Sequence, residues 1–330
     1  MCTSLTLTSH AEHHFLARTM DFGFQLDGRP VVIPRNYEWK SQQGIQKTKY
    51  GFAGTGRNLE EYFLAEGVNE KGFAVAELYF PNEAKYNTTT QKEKVNLAPH
   101  EFIMWLLGQI GSISELRERI TEINLVEEAI PMLGFIPPLH FIVTDKTGET
   151  VVLESDSGEM VVKSNPVGVM TNSPDLSWHL KNLNNYLNIQ PTNFPAKKID
   201  EYVIQPFGQG SGTFGLPGGY TSPERFARAT FLRALTDTGE TIEEGVNAIF
   251  KILNNVTIPK GVDIKDDGSS DYTQYRAALD VTELTYYFNP YESPEVFKLT
   301  LDETLLAKKE PTEFAYAATF KTTDLNTKNT

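Results

Sequence analysis

The sequence predicts an α+β fold, and three observations carry that expectation. Short strands open the chain, form a meander between residues 139 and 170, and return after residue 272. Two groups of helices interrupt them, one over 99–123 and one after Ser222 and Thr241. No Pro/Ser-rich linker divides the 330 residues, of which 40% are hydrophobic, so one large core is affordable.

Residues 4–8 alternate polar and apolar side chains, residues 14–17 read as a partner strand, and Ser9-His10-Ala11-Glu12-His13 is polar enough to turn between them. A symmetric hairpin that pairs Ser9 with His14 makes opposed positions sum to 23. It sets Cys2 against Asp21, about 5 Å away. Arg18, three residues before Asp21, then lies on the other face, so a bulge near Thr19-Met20 is expected if both are to reach Cys2.

Further strands are predicted at 30–34, between prolines, and at 72–80, stopped by Pro81. Phe102, Ile103, Leu106 and Leu107 predict an amphipathic helix over 99–110, and Ser112-Ile113-Ser114-Glu115 has the capping-box pattern for a second, to about Ile123. Residues 139–145, the turn Lys146-Thr147-Gly148 and residues 150–154 read as a hairpin, followed by strands at 161–163 and 167–170. Ser222 at the cap and Pro223 at the first position open a helix carrying Arg225 and Phe226, and Thr241 caps another. Strands at 272–275, 284–288 and 297–301 complete a domain of residues 1–320, before a polar tail, 321–330, expected to be disordered. The stretch 188–212 is polar and aperiodic, and a structureless segment of that length predicts a reach across to a neighbouring subunit.

The formal charge of −13 argues against nucleic acid and against an anionic membrane surface as partners. No charged leader with an apolar run precedes the first strand, and no stretch approaches about 18 uninterrupted apolar residues. One cysteine makes no internal disulfide. A cytoplasmic location is expected. The six histidines show no helical two-histidine spacing with a carboxylate, so neither a metal nor another cofactor is expected. Gly210-Ser211-Gly212-Thr213-Phe214-Gly215 spells a dinucleotide fingerprint but leads into Leu216-Pro217 instead of a helix, which excludes it.

The chemistry concentrates at Cys2. A small residue at position 2 permits removal of Met1, which would leave Cys2 with a thiol and a free α-amine. Such an amine titrates at roughly 8 and a free thiol at about 8.5, so one residue could supply both nucleophile and base. The plain alternatives are a small buried hydrophobe or a redox-sensing thiol.

Met1-Cys2-Thr3-Ser4, Ala17-Arg18-Thr19-Met20-Asp21-Phe22, Met170-Thr171-Asn172-Ser173-Pro174 and Gly215-Leu216-Pro217-Gly218 leading to Arg225-Phe226 resemble the choloylglycine hydrolase family. That family of N-terminal-nucleophile amidases includes the bile salt hydrolases and penicillin V acylases. The resemblance runs from Cys2 to at least Tyr287. It implies a four-layer αββα sandwich with two antiparallel sheets, a homotetramer, and hydrolysis of a small-molecule, non-peptide amide through a thioester on Cys2. It also implies that Arg18 and Asp21 hold the amine and thiol, that Asn172 serves the oxyanion, and that Arg225 is a supporting charge.

Each of these residues has a plainer reading. Arg18 and Asp21 could be an ion pair, Asn172 a turn-closing side chain, Arg225 a partner of Glu224 or Glu243, and Tyr79 a core aromatic. Bile salt hydrolases carry asparagine where this chain has Tyr79, whereas penicillin V acylases carry tyrosine. A tyrosine fills more of a pocket and offers an aromatic face, so penicillin V is the expected substrate. Met20, Phe24 and Leu26 are expected pocket neighbours. A bile salt hydrolase is the alternative, followed by an acyl-homoserine lactone acylase and a non-catalytic binding member of the fold.

Overall fold

The computed structural model describes residues 1–131 and 133–328. Two antiparallel sheets form its centre. The six-stranded sheet has the order Val169–Met170, Cys2–Thr8, His14–Phe22, Tyr272–Asp280, Thr285–Pro290, Phe297–Thr300. The eight-stranded sheet has the order Glu159–Ser164, Thr150–Asp156, Leu139–Thr144, Ala74–Tyr79, Glu61–Asn69, Phe52–Leu59, Arg29–Ile33, Thr312–Glu313.

Strand alternation sorts the side chains into layers. Ala74, Ala76 and Leu78 pack between the sheets, with Leu16 of the facing strand in the same core. Val75 and Phe141 face outward onto the helices Phe102–Gln109 and Ile113–Arg119. The helices Ser222–Leu235 and Ile242–Asn254 cover the other sheet through Phe226, Ala229 and Ile249. The result is the four-layer αββα sandwich implied by the resemblance, with helices outside and two sheets within.

Several local expectations are corrected. The helix over Phe102–Gln109 follows a short 3₁₀ turn and is buried on every side through Gly108, so it is a core helix and not an amphipathic one. Ser112 does cap its helix, accepting from the Glu115 amide at 3.1 Å, but the Glu115 carboxylate turns to the Gly111 N–H. Thr241 and Glu244 make the complete reciprocal box. The segment around 188–212 is not structureless, because Lys197–Ile199 and Tyr202–Ile204 pair as an exposed hairpin. In the tail, residues 321–326 are exposed. The expected disorder of its last two residues, 329–330, lies outside the described residues.

The hairpin Phe52–Leu59 with Glu61–Asn69 was not predicted, because Gly54, Gly56 and polar residues break its alternation. The close pairing itself requires Gly54: a Cβ there would collide with the Glu66 carbonyl.

Candidate active site

The first hairpin pairs Thr8 with His14 and Cys2 with Met20, so opposed positions sum to 22 and not 23. The longer turn takes one residue more than a symmetric hairpin from Ser9 would. A one-residue change of register exchanges faces, and here it places Cys2, Arg18 and Met20 together on the face between the sheets. Asp21, Thr19 and Thr3 point to the helix layer. No bulge is needed at Thr19-Met20. The irregularity lies on the neighbouring strand, where Thr273 pairs with Asp21 and Tyr275 with Met20, and Gln274 is extra.

From the inter-sheet side, Arg18 donates to Cys2 Sγ at 2.9 Å. Its other terminal nitrogen donates to the carbonyls of Ala65 (2.7 Å) and Glu77 (3.0 Å) and to the Glu66 carboxylate (3.2 Å). Those carbonyls are free for a geometric reason. Glu61–Asn69 and Ala74–Tyr79 pair only from Glu66 opposite Ala76 to Val68 opposite Ala74, so the strands split beyond that point and Arg18 fills the base of the split. Glu66 also accepts from Tyr275 Oη at 2.8 Å and Tyr286 Oη at 2.6 Å. Burial disfavours the Arg18 cation, yet Cys2, Tyr275, Glu66 and Glu77 hold its pKa above the ordinary arginine value. Burial and the nearby Glu66 push the hydroxyls of Tyr275 and Tyr286 well up, so both remain donors.

From the helix side, Arg225 donates to the Cys2 carbonyl (2.5 Å), Thr3 Oγ1 (2.7 Å) and Asn172 Oδ1 (2.7 Å). Burial lowers its pKa, and Asp21 and Cys2 oppose that. Asp21 accepts from Thr19 Oγ1 at 2.9 Å and Thr273 Oγ1 at 2.6 Å. Burial raises its pKa against the pull of Arg225 and the chain's amino terminus. Met1 is attached here, and its ammonium donates to the Asp21 carbonyl at 2.8 Å. Cys2 N is therefore an amide, donating to Asn172 Oδ1 at 3.1 Å.

Asn172 reaches this point from the end of Val169–Met170. Its Nδ2 donates to the Tyr79 carbonyl at 2.7 Å. Ser222 fixes its backbone, accepting from Asn172 N–H at 3.0 Å and donating to Asn172 O at 2.9 Å. Ser222 is consequently not the helix cap it was expected to be; Thr221 takes that position, without a side-chain cap bond. His179, stacked on Phe226, also bonds the Asn172 carbonyl at 2.9 Å. Cys2, Arg18, Asp21, Asn172 and Arg225, scattered over 224 positions of sequence, thus meet at one strand end.

A mainly apolar cavity opens on Cys2 and follows the split, from Arg18 and Met20 past Tyr79 to Phe63 and His100. The expected neighbours Met20, Phe24, Leu26 and Tyr79 all line it. Phe22 packs edge-on against Tyr79, with ring centroids 5.8 Å apart. Sequence reading missed Leu59, Phe63 and Leu64, which belong to the unpredicted hairpin, and Leu133 and Phe135, which come from a loop. It also missed Glu66 and Glu77. A carboxylate in an otherwise apolar strand, as in Ala76-Glu77-Leu78, was the available signal for the second.

Fold and site together are those of an amidohydrolase built on the N-terminal-nucleophile sandwich. Residues 2–314 match the model of the linear amide C–N hydrolases, choloylglycine hydrolase family, and the chain belongs to that family. A bile salt hydrolase/transferase of Clostridium perfringens is 32% identical over 99% of this chain and 100% of its own length. A solved variant of conjugated bile acid hydrolase from the same organism superposes with a TM-score of 0.91, at 30% identity, covering 98% of this chain and all of that one. A penicillin V acylase of Pectobacterium atrosepticum is more distant, 24% identical over 90% of this chain and 80% of its own. Among the described residues, no helix is long and apolar enough to cross a membrane.

Proposed function

We propose that the chain hydrolyses conjugated bile salts, with Cys2 as nucleophile once Met1 has been removed. The observation that carries the reading is the apolar cavity that begins at the Cys2 thiol and runs through the split sheet. An extended apolar wall suits a large, rigid acyl body. The similarity to bile acid hydrolases over the whole chain supports it, and it reverses the preference for penicillin V expected from Tyr79.

In this mechanism the thiol attacks the amide carbonyl, and the freed α-amine of Cys2 takes the thiol proton and passes it to the leaving amine nitrogen. The C–N bond breaks to leave a thioester. Water, deprotonated by the same amine, then attacks the thioester, releasing the acid and returning the thiol. Arg18 stabilises the thiolate at 2.9 Å. Asp21 holds the protonated amine. Arg225 fixes Asn172 by its Oδ1 and the Tyr79 carbonyl takes one Nδ2 hydrogen, which leaves the second Nδ2 hydrogen for the oxyanion. As long as Met1 is attached, the nitrogen is an amide and cannot serve as base.

A penicillin V acylase is the second reading, and Tyr79 favours it: the ring narrows the cavity beside Cys2 and offers a face to a phenoxy group. The deciding measurement is kcat/KM for glycocholate, penicillin V and an acyl-homoserine lactone on the wild type and on Tyr79→Asn. Preference for glycocholate by about tenfold, or 1.4 kcal/mol in transition-state binding, is the expected result. Preference for penicillin V, reversed in Tyr79→Asn, would establish the second reading instead.

A further inference from the structure

Glu77 has no role in the chemistry above, yet it occupies a costly position. It lies on the outward face of Ala74–Tyr79, between Val75 and Tyr79 and opposite Phe141 on the adjacent strand. It lines the same cavity as Cys2. Its Oε2 is buried and has no hydrogen-bond partner among the described residues. The neighbouring buried carboxylate, Glu66, is satisfied by Arg18 and two tyrosines. The contrast matters, because a buried polar group without a protein partner calls for one from outside the chain, a water, an ion or a ligand, and Glu77 lies on the cavity wall where a ligand can supply it.

We propose that Glu77 is the polar anchor of the acyl pocket, recognising a hydroxyl group carried on the otherwise apolar acyl part of the substrate. The inference rests on the reading of the cavity as the acyl site. Burial raises the Glu77 carboxyl to about 8, against the pull of Arg18 and with the push of Glu66. At neutral pH it is therefore a neutral acid, with one O–H to donate and lone pairs to accept. An alcohol has the same two capacities, so one hydroxyl can satisfy the carboxyl in both directions. A cationic group would instead need the ionised form, which the low-polarity walls oppose. An acyl group with no hydroxyl within reach leaves the carboxyl unpaired and is bound less well for that reason.

The test uses glycine conjugates that differ by single hydroxyls, starting from none: cholanoylglycine, glycolithocholate, glycochenodeoxycholate, glycodeoxycholate and glycocholate. In the wild type, adding the hydroxyl that meets Glu77 should raise kcat/KM by about tenfold or more. Glu77→Leu, which removes a buried unpaired carboxyl and fills its space, should bring that ratio close to one. Glu77→Gln, which keeps a donor and an acceptor, should retain most of it. A wild type indifferent to every hydroxyl, or a Glu77→Leu protein with the wild-type ratios, would overturn the proposal.

The same conjugates are titrated calorimetrically into Cys2→Ala protein with and without Glu77→Leu, so that affinity is read without turnover. Binding that is retained but independent of Glu77 overturns the anchor alone. Failure of every conjugate to bind overturns both the anchor and the bile salt reading beneath it.

Discussion

The Arg18 guanidinium lies 2.9 Å from Cys2 Sγ and 3.2 Å from Glu66, so the cation that faces the thiol is neutralised from behind. All three groups are buried. Removing one member of a buried ion pair strands the other, at a cost of about 3–5 kcal/mol. Glu66→Leu should therefore lower stability by that order, as should Arg18→Leu. The double variant should recover much of the loss in urea unfolding but none of the activity. Equal stability of Glu66→Leu and wild type would show that the pair does not hold Arg18.

Cys2→Ala should abolish turnover of glycocholate while leaving the thermal melt close to that of the wild type, because the change at the strand end is one sulfur atom. Intact mass read on the active protein should begin at Cys2. Turnover at the wild-type rate by the alanine variant, or by protein that retains Met1, would end the assignment of nucleophile and base.

Asn172→Ala should lower kcat on the order of 10²-fold, the usual loss for one oxyanion donor. Steady-state kinetics separate this from substrate binding, since a change confined to KM would mark Asn172 as a ground-state contact.

The pH dependence of stability reports on Glu77. Its folded pKa, about 8, lies above that of the unfolded chain, near 4.5. The folded state thus binds the extra proton between those values. Stability from this group is fully present below pH 4.5 and is lost as pH rises toward 8. Arg18 and Glu66 face the carboxyl, the first pulling its pKa down and the second pushing it up. Thermal melts should show Glu77→Gln gaining on the wild type as pH rises from 5 to 9, and a constant difference between the two would contradict the burial argument.

The exposed hairpin presents Ile199, Tyr202, Val203 and Ile204 to solvent, with Phe207 just beyond. An apolar arm of this kind is expected to be covered by a second copy, in a homotetramer. Light scattering at micromolar concentration should give four chains, and fewer after deletion of residues 197–207. A monomeric wild type would contradict the assembly.

Much of this architecture was legible from local pattern. The three-stranded meander from Leu139 to Ser164, the capped helices and the three C-terminal strands follow from alternation and cap residues, whereas Val169–Met170, read as the end of the meander, crosses over to pair with Cys2–Thr8 in the other sheet. The hairpin register was missed by one because polarity alone cannot say how many residues a turn consumes, and that single residue decided which face Arg18 shares with Cys2. The cavity was less legible still. It exists because two strands part company beyond the Glu66–Ala76 pair, toward Ala65 and Glu77, and nothing in Glu61–Asn69 or Ala74–Tyr79 taken singly announces where pairing stops. Ser222 illustrates the same limit: its local context reads as a cap, while a residue fifty positions away claims its hydroxyl.

The contacts of the first hairpin also set an order in time. Cys2 emerges first from the ribosome, yet Asn172, Arg225 and Thr273, which complete its surroundings directly or through Asp21, are made far later. At about 5–20 residues per second, the strand Tyr272–Asp280 is finished roughly 15–55 s after the cysteine. Throughout that interval the thiol belongs to a growing chain with its charges unassembled. A chain cut short before residue 272 would carry Cys2 without Thr273, and under the proposed mechanism amide cleavage would begin only when translation is nearly complete.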